Sequence, residues 1–390
     1  MSEYVIVGGF TTVKNDNWGR PHVPPSPSLS IDGQSLTAIR DFVTAMPPDS
    51  VTEQALASVM QKWDSDPRSV EPIRGIRQVL DKIRLLPRGQ SRLTAMNTFV
   101  RTLGRPQALA TLLDMLRDSA AREGTHEEKL TLPSRNGTQH AVYGWAGQTL
   151  LLLSDFGDHD GAVEAEPGAL ELLGETAIPG LWALSMHIWQ PNPCAQAFPS
   201  GARIEPGAVV EPPHSHPFDF SSMISAGVMR QSIYAHSRPG GASHPRAGDR
   251  YGGIRLVHVD GVWPEHQYRS SCELATLEEN VVLRAGDSYF MPTDMIHDVE
   301  FNAKTAATTP AITLFLASEA VVVPHVYMAD SMAGAHDQNP DLKSSGKALS
   351  AAAWEAKLSA VSAYLRGERS VLSLADIVRH DGTYAFFHKA

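Results

Sequence analysis

The chain of 390 residues predicts an α+β fold: a helical N-terminal region, a β-rich middle and a C-terminal helix. Three observations carry this. Between about 35 and 122, apolar residues recur at the i, i+3, i+4 spacing of a helix face. From about 139 onward, apolar residues alternate or run in short blocks broken by turn residues. Around 348–365 the helical period returns. The length exceeds one typical domain. Three regions are expected: an arm and helical domain over 1–135, a β domain over 136–330, and a helix and tail over 331–390.

The elements follow in order. Tyr4-Val5-Ile6-Val7 is a short β-prone run, read as an edge strand, and 15–35 is an irregular arm rich in Pro, Ser and Asn. Leu36, Ile39, Phe42 and Val43 make a helix face that Pro47-Pro48 ends. Val51 to Trp63 follows, with Asp49, Ser50 and Thr52 as its capping region. Ile73, Ile76, Val79, Leu80 and Ile83 form the next face. Two further helices, Ser91 to Leu103 and Pro106 to Ala121, are separated by Gly104, with Pro106 at a first helical position. The polar stretch 122–136 marks the boundary. Gln148 to Ser154 is a compact apolar run. Leu181 to Gln190 alternates, with Trp182, Leu184, Met186 and Ile188 on one side and Ser185 and His187 on the other. Met229 to His236 is a strand, 237–252 a turn-rich loop, and Ile254 to Asp260, Glu273 to Leu277 and Asn280 to Leu283 are further strands. Ala311 to Val323 reads as a last strand pair. Ala348 to Leu365 is an amphipathic helix, expected to pack on the β domain or on the N-terminal helices. The aromatic run near 384–387 is expected to dock on the chain or in a homo-oligomer interface.

Composition narrows the function. A net charge of -10 and a pI near 5.9, with no basic block, speak against nucleic acid as a partner. Two cysteines, Cys194 and Cys272, make no disulfide framework and suit a reducing cytoplasm. No basic segment followed by an apolar run opens the chain, and no stretch of about 20 apolar residues occurs, so neither a signal peptide nor a membrane span is expected.

Chemistry concentrates in two segments, 207–227 and 286–301. His214 and His216 sit two apart, and alternate side chains of a strand share a face, so the pair offers half of a metal site. The first segment reads His214-x-His216, three residues, Phe220, six residues, Gly227. The second reads Gly286, five residues, Pro292, one residue, Asp294, two residues, His297, three residues, Phe301. The pair resembles the two motifs of the cupin superfamily. The resemblance covers about 140–330 and implies an antiparallel β-barrel, a double-stranded β-helix, with His214, His216 and His297 as metal ligands. Four departures stand out: Phe220 where the family's glutamate ligand stands, Asp294 for a glycine, Phe301 for an asparagine, and Gly207 one residue further from the histidines. The interval between the motifs is longer than in a minimal cupin. The excess, with His244, His258, His266, Trp263 and Tyr268, reads as an inserted hairpin beside the barrel mouth.

The missing carboxylate also resembles the thiol dioxygenases, such as cysteine dioxygenase, which implies a non-haem Fe(II) centre using dioxygen. Tyr289 lies in the second-motif strand, and the resemblance implies a tyrosine near the metal, as in that family. No cysteine stands at the Phe220 position, so the tyrosine–cysteine crosslink of some members cannot form there. Three imidazoles bring no negative charge, so a bound ion keeps its full +2 and attracts an anionic, chelating substrate such as an amino, thiol or N-hydroxy acid. Arg203 and Arg230 flank the first motif and are candidates to fix a substrate carboxylate. Other divalent transition metals suit the same donors. A Lewis-acid isomerase or lyase, and a metal-free ligand-binding cupin, remain open beside the oxygenase.

Overall fold

A computed structural model describes residues 48–65, 71–121, 136–142, 145–154, 182–191, 209–216, 218–236, 249–259, 262–292, 295–301, 309–319, 325–329, 347–348 and 351–372. The expected edge strand at 4–7, the arm, the helix at 36–43, most of the boundary 122–136, most of the loop 237–252 and the aromatic run at 384–387 lie outside these residues.

Among the described residues four helices come first: α1 Ser50–Ser65, α2 Glu71–Arg84, α3 Gln90–Leu103 and α4 Pro106–Ala121. Asp49 caps α1, its carboxylate accepting the Thr52 N–H at 3.1 Å; such a cap is worth about 1 kcal/mol. The face read on α2 is buried in full: Ile73, Ile76, Val79, Leu80 and Ile83. Helix α3 is the central one, with Leu93, Met96, Phe99, Val100 and Leu103 buried together with the polar Arg92 and Asn97. The fifth helix, α5 Ala351–Leu365, lies against α4, where the Ser362 hydroxyl donates to the Ala110 carbonyl at 3.2 Å.

The strands are β1 Asn136–Val142, β2 Trp145–Ser154, β3 Ala183–Pro191, β4 Val209–Ser215, β5 Phe220–Ala226, β6 Val228–His236, β7 Asp249–Val259, β8 Val262–Arg284, β9 Ser288–Met291, β10 Ile296–Glu300, β11 Ala311–Ala317, β12 His325–Ala329 and β13 Lys347–Ala348. All pairings are antiparallel. The first sheet has the order β13-β1-β2-β3-β11-β5-β9. In the second, hydrogen-bonded neighbours run β10-β4-β12-β7-β8-β6, and β6 pairs with β10 to complete a ring.

The first sheet is covered on both faces. Trp182, Leu184, Met186 and Ile188 of β3, with Ile312, Leu314 and Leu316 of β11, join the helices in one core. The alternate residues, among them Trp189, Phe220, Ile224 and Phe315, meet Met229, Ile233, Leu283, Val299 and Phe301 of the second sheet or the residue after it. The alternation read on β3 therefore separates a helix-facing side from a side facing the other sheet.

Three expectations are corrected. The strands do not close into one barrel: the ring lies within the second sheet, while the first stays open between β13 and β9, its outer face taken by helices. The strands read at 273–277 and 280–283 are one, β8, irregular at Asn280, where φ is 55 and the pairing to β6 shifts register. The last "pair", read over 311–323, is one strand among the described residues, β11 in the first sheet; β12 begins only at His325, beyond that range, and belongs to the second.

Candidate metal centre

The site is set by one strand pairing. β4 and β10 are antiparallel neighbours, with His297 directly opposite His214 and Ile296 opposite Ser215. Directly opposed residues point to the same face, and His216 lies two beyond His214, so all three imidazoles emerge on the side facing the first sheet. Ring centroids are 4.8 Å apart for His214 and His216, 4.6 Å for His214 and His297, and 5.2 Å for His216 and His297. One ligand atom from each lies within 4.8 Å of the others, and the Nε2 atoms of His216 and His297 are 3.0 Å apart.

The nearest pair of these nitrogens, on His216 and His297, is spaced to share a divalent metal ion. Two nitrogens each about 2.0–2.1 Å from one ion, at right angles, lie about 3 Å apart. The lone pairs are also available. Burial above all, and then the neighbouring His214 and His187, holds His216 well below the usual imidazole range. Burial, then His214 and His216, does the same for His297. Both rings are neutral near pH 7. At His297, Nδ1 lies 3.2 Å from the Gln231 Oε1, an acceptor, which assigns the proton to Nδ1 and leaves Nε2 as the donor toward the cluster.

The wall beside His216 is aromatic. Phe220 is buried, its ring edge-on to His216 at 4.6 Å and 4.6 Å from Phe315. Phe218 stands 5.4 Å from His216. Phe220 thus stands directly against one ring of the cluster. Tyr289 packs edge-on against Phe220 at 5.8 Å, one ring removed from His216. His187 faces the same inter-sheet space, 4.9 Å from Phe315, and is not one of the three clustered ligands.

Two candidates fall elsewhere. Arg230 points away from the cluster: alternation along β6 puts it opposite Gln231, half-exposed and 4.0 Å from Glu300. It does not serve as the carboxylate clamp read from the sequence. Arg203 lies outside the described residues, as do Asp294 and Gly207. Asp298, next to His297, also turns away; its carboxylate accepts the Ser232 N–H at 2.7 Å and the Tyr234 hydroxyl at 2.5 Å. Burial raises its pKa, against those two hydrogen bonds. Among the described residues, no carboxylate joins the three histidines.

Sequence reading missed Gln231, Phe218 and Phe315. Only Gln231 left a signal: it is the polar member of the core-facing series Met229, Gln231, Ile233.

No family model and no curated protein matches the chain. Among solved structures, the L-ribose isomerase of Geodermatophilus obscurus is similar at 15% identity over 60% of this chain and 96% of that one, with a TM-score of 0.28. The L-ribose isomerase of Acinetobacter sp. DL28, in complex with L-ribose, shares 15% identity at a TM-score of 0.22; the match covers 44% of this chain and 59% of that enzyme. An oxalate oxidase shares 12% identity over 48% of this chain and 65% of that one, at 0.19. At TM-scores this low the likeness decides neither the fold nor the chemistry of this chain.

Proposed function

We propose that this chain is a metal-dependent enzyme of the cupin superfamily, and more narrowly a non-haem Fe(II) oxygenase for a small anionic substrate that chelates the ion. One observation carries the reading: three imidazoles, His216 and His297 of them held neutral by burial, converge with no carboxylate among the described residues, against a wall of phenyl rings. His214, His216 and His297 would hold the ion. When bound, it would act as an uncompensated +2 charge and bring substrate and dioxygen together. The residues around it do the rest. Gln231 holds His297 in one tautomer. Phe218, Phe220 and Phe315 exclude water on the His216 side, which strengthens electrostatic attraction for an anion there. His214, away from that wall, is only partly buried, which leaves the cluster its more open side there.

His187 supports a second reading, a metal-dependent isomerase or lyase, because it places a non-ligating imidazole in the same space for proton transfer. The test is metal analysis of purified protein joined to oxygen uptake by Fe(II)-reconstituted protein with small amino, thiol and N-hydroxy acids. Uptake coupled to turnover is the expected result. Turnover without oxygen would move the assignment to an isomerase or lyase, and absence of bound metal to a ligand-binding cupin.

A further inference from the structure

We propose that the helical layer sets the shape of the metal centre, and that Arg88 and Arg92 are its positioning residues; this rests on the metal-centre reading above. The aromatic wall stands on the start of β5 and the end of β11, where Phe220 pairs with Ala317. Just before Phe220 the two segments are tied: the Ser318 N–H donates to the Asp219 carbonyl at 2.9 Å, and the Asp219 N–H to the Ser318 hydroxyl at 3.2 Å. Residues before and within α3 grip the chain there at three points. Arg88 donates to the Asp219 carboxylate, at 3.1 Å from Nε and 2.9 Å from the terminal nitrogen. Arg92 pairs with Glu319, next to Ser318. Asn97 accepts from the Ser221 hydroxyl at 3.1 Å.

Asp219 lies between Phe218 and Phe220, the two rings against His216. A displacement of Asp219 therefore moves both rings against one ligand. The Arg92–Glu319 pair points the same way. Each side chain is 4% exposed, and the Arg92 guanidinium lies 4.6 Å from the Trp182 ring centre. Removing two charges from water costs several kcal/mol per ion, so such a pair adds little over apolar residues of equal volume. What it supplies is register: a fixed distance between α3 and the end of β11.

The test uses Arg88, because its side chain is 39% exposed; its removal takes one partner from the buried Asp219 carboxylate, and the control does the same to an equally buried one. Arg366–Asp114 is the control, with exposures of 37% and 9% against 39% and 9%; Asp114 also keeps Arg117 at 2.9 Å, and the pair joins the residue after α5 to α4, away from the wall. In metal-free full-length protein the His216 Cε1–H resonance feels the ring currents of Phe218 and Phe220. It should shift in Arg88→Ala, return toward the native position in Arg88→Lys, and stay put in Arg366→Ala. With Co(II) loaded, Arg88→Ala should alter the visible spectrum and weaken Co(II) binding on the order of tenfold, as disturbing a ligand's support does elsewhere. The paired change Arg92→Met with Glu319→Met removes the second tie without an orphan charge and should move the same resonance. An unmoved resonance and an unchanged Co(II) spectrum in Arg88→Ala, beside a stability loss equal to that of Arg366→Ala, would overturn the proposal. Because the resonance is read without metal, it decides the positioning role whether or not the wild type takes up Co(II); failure of uptake counts against the metal centre alone.

Discussion

Gln231 sits on the core face of β6 between Met229 and Ile233, where an amide is costly unless it is paired. Its partner is the His297 Nδ1–H, so Gln231→Leu should release the ring and lower metal affinity by about 10–100-fold with the fold kept, read by competition with a chelator. His214→Ala, His216→Ala and His297→Ala should each reduce metal stoichiometry, while His266→Ala should not; the opposite ranking would sink the ligand set. Phe220→Glu should put a carboxylate beside His216, lower the ion's effective charge and weaken binding of anionic substrates, visible in a changed metal spectrum. The lowered histidines also set a pH dependence. His216 and His297 stay neutral in the folded chain, whereas in the unfolded chain they take up protons below about pH 6.5. The unfolded state then binds more protons, so stability present above that pH is lost as pH falls toward the lowered native values. The melting temperature of metal-free protein should fall between pH 7.5 and 5.5, and by less in a His216→Gln/His297→Gln variant. At this scale the sequence was informative where spacing speaks: two motifs separated by a long interval named three residues that meet. It was silent on Phe315 and Phe218, because an apolar residue on a strand looks the same whether it lines a site or fills a core.

Among the elements, the β5–β6 connection explains the glycine of the first motif. Gly227 has φ 77, and a Cβ there would sit 2.6 Å from the Pro310 carbonyl oxygen and 2.9 Å from the Ala311 Cα. Both atoms are backbone and cannot swing aside. Gly286 also has a left-handed φ, of 100, but nothing within 4 Å of its Cβ position. Gly227→Ala should therefore cost more than Gly286→Ala, the first exceeding the about 1–3 kcal/mol of backbone strain alone. Chemical denaturation of both variants checks the order, and equal losses would show that the Pro310 contact yields. Helix faces and the β3 alternation were legible because period alone defines a face. Partners were not. Nothing in the sequence of β11 or β12 says that the two join different sheets, and nothing local says that the run through Asn280 continues as one strand. Pairing is settled by segments distant in sequence.

On the scale of the whole molecule, the helices and the first sheet share one core, from Leu56 on α1 through Met186 on β3 to Trp354 on α5. A nick within 122–135 should accordingly leave two fragments that elute together on gel filtration under native conditions; separation of folded fragments would show that the shared core is dispensable. The regional change of period at about 122–139 was readable, since composition and spacing shift there. The mutual burial was not, because an amphipathic face does not name what covers it. The docking of α5 on α4 has a consequence for synthesis. Ser362 and Ala110, which hydrogen-bond across that contact, are 252 positions apart. At about 5–20 residues per second the ribosome needs about 12–50 s to travel between them. Through that time α4 lacks the helix that packs on it, and Trp354, Leu358 and Val361 have yet to join the core it shares. The contact between α4 and α5 is thus completed only after the later helix has been made, long after the earlier one.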